Sequence, residues 1–256
     1  MTSSPTSSRQ GAEDELLLEV RGLGTGYGDL RVVWDVSFDV RAGQITVLLG
    51  RNGAGKTTTL RAISGLNKVV AGEIRYRGQS LAKVPAHQRV RDGIAYVQEG
   101  KRVFHSQTIE QNLLLGGYPR RLKRAELRQE VERIYELFPI LAEKRALPAS
   151  SMSGGQQQML AIGQALMSQP SLLMLDEPSG GLAPVIVNEV MERVHQLKET
   201  GIGILLVEQA VEASFAIADH VTVLDMGRTM LSSPAGEVSD MTLLQDAYFG
   251  KTASAS

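Results

Sequence analysis

The stretch "ITVLLGRNGAGKTTTLRAISGL", Ile45–Leu66, decides how the chain is read. Its first six residues, Ile45–Gly50, form a short, nearly continuous apolar run. That is the pattern of a strand covered on both faces. A glycine-rich turn follows and opens into a helix. Gly50, Gly55, Lys56 and Thr57 fill the pattern G-x-x-x-x-G-K-[ST]. Glycines there let the backbone curl so that successive N–H groups face one anion. A helix starting near Lys56 adds its positive N-terminal end. The cradle is expected to run through Arg51, Asn52, Gly53 and Ala54 to Thr58. Lys56 would reach the β- and γ-phosphates of a nucleotide, and Thr57 would offer its hydroxyl to Mg²⁺. A glycine-containing turn matches the four fixed positions by chance in roughly one chain in a hundred of this size. The strand before and the helix after make chance rarer still.

Working outward, the 256 residues suit one large domain or a core with a small inserted lobe. Apolar residues are 43% and charged residues 21%, ordinary for a globular protein. A net charge of −1 gives no global pull toward nucleic acid or anionic lipid. With no cysteine, disulfides, thiolate metal sites and cysteine nucleophiles are excluded. The four histidines are scattered without metal-site spacing. No apolar run reaches the roughly 18–20 residues needed to cross a bilayer. The polar opening "MTSSPTSSRQGAEDE" does not read as a secretory signal, and residues 1–14 are expected to be a disordered tail.

Leu16–Arg21 and Val33–Val40 read as strands separated by the turn residues "GTGYGD". "SLLMLDEP" (Ser171–Pro178) and "GILLVEQ" (Gly203–Gln209) read as buried strands, and "HVTVLDMGRTMLSS" as a hairpin turning at Met226–Gly227. Helices alternate with these strands, which argues an α/β fold with a mainly parallel sheet. The middle differs. Thr108 and Gln111 make a capping-box pattern, and Leu127, Val131, Ile134 and Phe138 recur at helical spacing. A helical lobe over about 105–154 is expected between core segments at about 15–98 and 155–250, with 251–256 a second tail.

"LLMLDEP" places two adjacent carboxylates at the end of a buried strand. In a P-loop protein Asp176 is the candidate for holding Mg²⁺. Glu177, on the other face of the strand end, could polarise an attacking water as general base. In "SMSGGQQQML", Ser153, Gly154, Gly155 and Gln156 sit at an expected helix N-terminus, with Met159, Leu160, Ile162, Ala165 and Leu166 on its apolar side. Serine and glycine there fit a simple N-cap. They equally make a second anion receptor. One nucleotide rarely needs two receptors, but two chains facing head to tail would use both.

In order and spacing, "GRNGAGKTT", "MSGGQQQ" and "LLMLDEPSGGLAP" resemble the Walker A, signature and Walker B motifs of ABC-transporter ATP-binding subunits, over roughly Leu16–Gly250. The resemblance implies a P-loop core with an N-terminal antiparallel β subdomain and an inserted helical subdomain. It implies ATP and Mg²⁺ as ligands. It also implies that Ser153 and Gly155 touch the γ-phosphate of ATP held by a partner ATPase, either a related chain or a second copy. "EGKRVF" (Glu99–Phe104), "SGGLAP" (Ser179–Pro184) and "LVEQ" (Leu206–Gln209) are similar to the smaller, LivF-type ATPase of branched-chain amino-acid importers. Such a subunit sits at the cytoplasmic face of the cell membrane, held by integral membrane permeases. A periplasmic or extracellular solute-binding protein takes part indirectly, and nucleic acid does not. A urea or short-amide importer ATPase and a soluble ABC ATPase for iron–sulfur cluster assembly share these motifs and stay open as alternatives.

By the same resemblance, Tyr27 lies where the family stacks an aromatic ring on adenine; a strand-edge tyrosine fits the position as well. The Q-loop residue is Glu99 by counting back from Phe104, with Gln98 the other candidate. Glu99 would face metal and water. Gln209 stands where many members carry a switch histidine, and its amide can still donate to a γ-phosphate oxygen. Gly181 and Ala183 stand where other members often have an aspartate, and Met152 replaces the commoner leucine.

Overall fold

A computed structural model describes residues 15–238; the expected tails at 1–14 and 251–256 lie outside the described residues. Two long strands, β1 (Leu16–Tyr27) and β2 (Leu30–Arg41), pair antiparallel. Strand β3 (Ile45–Gly50) is buried at every position and leads through the glycine turn into helix α1 (Lys56–Ile63). Then come β4 (Val69–Tyr76), β5 (Gln79–Ser80), α2 (Ala86–Arg91) and β6 (Ile94–Val97). Helices α3 (Ile109–Gly116), α4 (Arg124–Leu137), α5 (Pro139–Glu143) and α6 (Gly154–Leu166) follow, with no strand among them. The described chain closes with β7 (Leu172–Asp176), α7 (Pro184–Lys198), β8 (Gly203–Glu208), α8 (Val211–Phe215), β9 (His220–Asp225) and β10 (Arg228–Pro234).

The ten described strands lie in one sheet of order β5-β4-β1-β2-β10-β9-β3-β8-β7-β6. The block β9-β3-β8-β7-β6 is parallel, and β1, β2, β4 and β5 form an antiparallel wing. The fold is thus α/β, with a mainly parallel sheet and antiparallel N-terminal strands. Side chains alternate between the faces of a strand, so the parallel block feeds two cores. Val47, Leu49, Leu175 and Leu206 enter one, which α3, α4, α6 and α7 close through Leu113, Ile134, Ile162 and Val194. Leu48, Met174, Leu205 and Val207 enter the other, which α1 and the antiparallel wing close through Leu60, Ile63, Val20 and Phe38. Burial on both faces is why these strands read as unbroken apolar runs.

Three differences from the sequence reading have physical reasons. β1 runs on through most of "GTGYGD" to Tyr27, because its register shifts past Val20, Leu23 and Thr25 absorb the glycines as bulges. β4 was not expected, since Gly72, Glu73 and Arg75 break up its apolar residues, of which only Ile74 and Tyr76 are buried. β6 has only four residues, too few for a period to show. At the capping box expected for α3, the Gln111 N–H donates to Thr108 Oγ1 at 3.1 Å and the Thr108 N–H to Gln111 Oε1 at 2.9 Å. In α4, Val131 and Ile134 are buried, and Phe138 is buried just past the helix end.

The far end of α1 is held from outside. The buried Arg89 guanidinium donates to the carbonyls of Ala62 at 2.9 Å and Ile63 at 2.8 Å, and also to Leu81 and Val84. Those are carbonyls that a helix C-terminus leaves without an internal partner. The helix whose N-terminus faces the glycine turn is therefore fixed at both ends.

Candidate functional site

The parallel register brings the C-terminal ends of β3, β8 and β7 side by side, pairing Leu49 with Glu208 and Asp176 with Val207. In open α/β sheets ligands bind outside such strand ends. The turn after β3 is built for close approach. Gly53 and Gly55 take φ of 83° and 104°, conformations that side chains with a Cβ rarely adopt. Helix α1 starts at Lys56 with no side-chain cap, and its first recorded bond runs from the Thr59 N–H to the Gly55 carbonyl at 2.9 Å. The N–H groups of Lys56, Thr57 and Thr58, in the first turn of α1, therefore have no partner within the helix and are left as donors. Arg51, Asn52, Gly53 and Ala54 line a cavity of about 470 Å³ together with Gln209.

Lys56 is only 5% exposed. Its Nζ donates to the Gly50 carbonyl at 2.8 Å and the Arg51 carbonyl at 3.3 Å, and stands 3.5 Å from Glu177 Oε1. An ammonium so placed is aimed across the turn, where an anion would lie. Thr57 Oγ1 donates to Asp176 Oδ1 at 3.0 Å, and Tyr96 Oη donates to Asp176 Oδ2 at 2.8 Å. Asp176 is 2% exposed. Burial pushes its carboxyl above the usual range; the Tyr96 and Thr57 hydrogen bonds pull it back, and the charges of Glu177 and Glu99 raise it further. Burial, with the Asp176 charge beside it, likewise raises the Tyr96 hydroxyl.

The donor set fits Mg²⁺. A hydroxyl and a carboxylate, both hard oxygens, meet where negative charge is in excess. Among the described residues no group of three or more His, Cys, Asp or Glu could hold a metal by itself. Mg²⁺ is held by one or two protein groups plus phosphate and water oxygens, so a sparse set suits it.

Glu177 lies beyond the end of β7, with φ of 48°. The alternation expected from an extended strand therefore does not apply to it. The left-handed turn swings its carboxylate toward the glycine turn, next to Lys56, and Gln209 Nε2 donates to Glu177 Oε2 at 2.6 Å. A non-glycine residue at positive φ costs roughly 1–3 kcal/mol and persists only where its surroundings hold it. Glu99 lines a cavity of about 520 Å³ with Lys101, Gln158, Glu177, Glu208 and Gln209. Gln98 lines a different one, of about 360 Å³, with Leu115, Tyr118 and Gln164. Of the two Q-loop candidates, Glu99 is thus the one beside Glu177. Tyr27 is half exposed beside α1, its Oη accepting from Thr58 Oγ1 at 3.5 Å and its ring 5.7 Å from the Arg61 guanidinium.

Ser153, Gly154, Gly155 and Gln156 stand apart from this cluster. Ser153 caps α6: the Gln156 N–H donates to Ser153 Oγ at 3.4 Å, and the Ser153 N–H to Gln156 Oε1 at 3.2 Å. Lys144 Nζ also donates to Gln156 Oε1, at 3.1 Å. No hydrogen bond or ion pair among the described residues joins this segment to residues 50–58. His220 begins β9 opposite Thr46, whereas Gly50 pairs with Leu224, so this histidine lies at the far end of the sheet from the site.

Two residues of the cluster escaped the sequence reading. Tyr96 orients Asp176 from β6, and nothing local marks it. Glu208 ends β8, where it is 1% exposed and accepts from the Ser179 N–H at 2.9 Å and the Ser179 hydroxyl at 2.7 Å. An acid closing the apolar run "GILLVEQ" is the same signal that singled out Asp176.

The comparisons with known proteins agree with this geometry. The family pattern described as "ABC transporter" matches residues 33–180. The chain is 41% identical over 234 residues to the high-affinity branched-chain amino acid transport ATP-binding protein BraG of Pseudomonas aeruginosa, covering 91% of this chain and 100% of BraG. It is 34% identical over 223 residues to a probable branched-chain amino acid transport ATP-binding protein LivF of Archaeoglobus fulgidus, covering 87% and 94%. A solved ATP-binding subunit of an ABC transporter superposes with a TM-score of 0.77 at 30% identity, covering 92% of this chain and 97% of that one. With the family pattern spanning more than half of its length and such relatives matching nearly all of it, the chain belongs to the ABC transporter family of ATP-binding proteins.

Proposed function

We propose that this chain binds and hydrolyses ATP as one ATPase subunit of an importer for branched-chain amino acids. The observation that carries the catalytic half is the meeting of Lys56, Glu177 and Gln209 beside the Thr57–Asp176 pair. The cargo rests on the likeness to BraG.

The glycine turn from Gly50 to Thr58, with the free N–H groups of the first turn of α1, cradles the phosphates, and Lys56 binds the β- and γ-phosphates. Tyr27 stacks on the adenine. Thr57 and Asp176 would hold Mg²⁺, with Glu99 facing it, and the ion would supply neutralisation of phosphate charge. A γ-phosphate competes with Glu177 for the Lys56 ammonium, which frees the carboxylate to take a proton from the attacking water. Gln209 holds that carboxylate and donates toward the γ-phosphate. Ser153, Gly154, Gly155 and Gln156 engage ATP held by a partner ATPase, so two chains complete each site between them. Catalysis is then positioning and charge stabilisation.

No described helix is long and apolar enough to cross a membrane. Permease subunits would supply the passage and hold the chain at the cytoplasmic face. An apolar groove of about 750 Å³, lined by Phe104, Leu114, Leu115, Tyr118, Leu122 and Leu127, suits them as a docking place. Its neighbour is the segment carrying Glu99, so nucleotide-driven movement there reaches the groove.

Deleting the gene should abolish high-affinity leucine, isoleucine and valine uptake, and restoring the wild type but not Glu177→Gln should recover it. Unchanged uptake of all three, with urea or short-amide uptake lost instead, would overturn the cargo. Permeases should co-purify with the chain; soluble scaffold proteins in their place would overturn the transporter assignment.

A further inference from the structure

We propose that Glu208 is a positioning residue: its buried carboxylate locks together the two backbone segments that carry Glu177 and Gln209. This rests on the reading of Glu177 as general base.

Glu208 Oε1 accepts from the Ser179 N–H at 2.9 Å, and Oε2 accepts from Ser179 Oγ at 2.7 Å and from the Gln209 N–H at 3.2 Å. Burial raises the carboxyl, and these hydrogen bonds, led by the Ser179 side chain, draw it back down. Among the described residues no cation pairs with it. The negative charge is held by oriented dipoles alone, all of them on the two loops that follow β7 and β8. Every partner is a donor, so the site requires a group that only accepts.

The geometry explains what the lock is for. Glu177 sits at φ of 48°, off the end of its strand, and does not hold that conformation unaided. One tie to β8 is the Glu177 N–H on the Val207 carbonyl at 2.9 Å, and the loop closes on itself through the Gly180 N–H and the Glu177 carbonyl at 3.0 Å. Ser179 on Glu208 is the second tie across to β8. With one tie a loop pivots; with two it has a fixed orientation. On the other side, Glu208 grips the backbone of Gln209, whose amide meets Glu177 at 2.6 Å. One side chain thus sets both ends of the Glu177–Gln209 contact without facing the glycine turn itself.

Glu208→Gln replaces one acceptor oxygen by an amide N–H₂ donor facing other donors, with almost no change in size. The transporter complex, purified through a tag on the full chain, should lose about 10- to 100-fold in kcat, with the KM for ATP within about twofold of wild type. Ser179→Ala, which removes one donor, should give a smaller loss of the same kind. The double variant should be no slower than Glu208→Gln alone, since both changes break one contact. Melting temperatures identify any variant that has merely lost its fold, and Ser179→Ala tests the lock where Glu208→Gln does not assemble. Wild-type kcat in both single variants would overturn the proposal, as would multiplicative losses in the double or a KM rising in step with the loss of kcat. Glu177→Gln belongs in the same series. If it stays active, the reading of Glu177 fails; if it is dead while Glu208→Gln is fully active, only the role of Glu208 fails.

Discussion

The segment at residues 50–58 and the segment at residues 153–156 are both glycine-bearing helix N-termini, yet they are finished differently. At the first, Lys56 is buried and already touches Glu177, and Thr57 is bonded to Asp176 across the sheet. Side chains from three strand ends converge on it. At the second, Ser153 is exposed and bonds only within its own cap. One receptor is complete within the chain, and the other looks outward. On the proposed reading that difference is the physical content of a shared site: the first segment would bind a nucleotide alone, and the second would act only when a partner brings one to it.

Breaking the complete half should have the largest effect. Glu177→Gln keeps the 2.6 Å neighbour Gln209 but removes the proton acceptor. Turnover should fall by about 10³-fold. ATP binding should persist and the dimer should accumulate with ATP trapped, as equilibrium binding and size-exclusion chromatography would report. Turnover near wild type would remove Glu177 from the role.

Breaking the outward half should cost less in chemistry and more in assembly. Ser153→Arg places a long side chain on an exposed cap, where the single chain tolerates it. Nucleotide binding to one chain should be unchanged, while ATP-driven dimerisation disappears and turnover falls by about 100-fold. Surviving turnover would sink the idea that this segment serves a neighbour's nucleotide.

The contrast also separates what sequence could reveal from what it could not. Lys56, Thr57, Asp176, Glu177 and Ser153 were legible because each announces itself locally, by a glycine pattern, an acid at the end of an apolar run, or a cap. The long buried strands were legible because burial on both faces leaves an unbroken apolar run. Tyr96 on Asp176 and Ser179 on Glu208 span 80 and 29 residues of sequence. They meet only because β6, β7 and β8 are neighbours in that order, which no local pattern encodes. β4 and β6 were missed for the opposite reason, one being too weakly apolar and the other too short. That Gln98 and Glu99 line different cavities was not legible either, since adjacent residues on a turn can open in different directions.

A milder break within the complete half is Tyr96→Phe, which deletes the 2.8 Å hydrogen bond to Asp176 Oδ2 and leaves the Thr57 bond. A bond to a charged acceptor contributes about 1.5 kcal/mol. The Mg²⁺ concentration for half-maximal turnover should therefore rise roughly tenfold, with kcat at saturating Mg²⁺ little changed. A lowered kcat that excess Mg²⁺ does not restore would show that Tyr96 acts on something other than the proposed metal ligand.

The smallest effect is the sharpest comparison, because the chain contains its own control. Helices α3 and α6 begin with the same reciprocal cap, Thr108 with Gln111 and Ser153 with Gln156. The bonds at Thr108 are 2.9 and 3.1 Å, and those at Ser153 are 3.2 and 3.4 Å. By local geometry the cap at Thr108 is the better one. Thr108→Ala should therefore cost about 1 kcal/mol of stability, and Ser153→Ala no more than that. Were both caps purely structural, turnover would follow stability, and Thr108→Ala would be the more damaging change. With Ser153 serving a partner's nucleotide the order inverts: Thr108→Ala keeps wild-type turnover in the assembled complex, while Ser153→Ala lowers it about fivefold. Chemical denaturation read alongside turnover distinguishes the two outcomes. Equal turnover in the two variants would mean that the helix N-terminus, rather than the serine hydroxyl, does the binding.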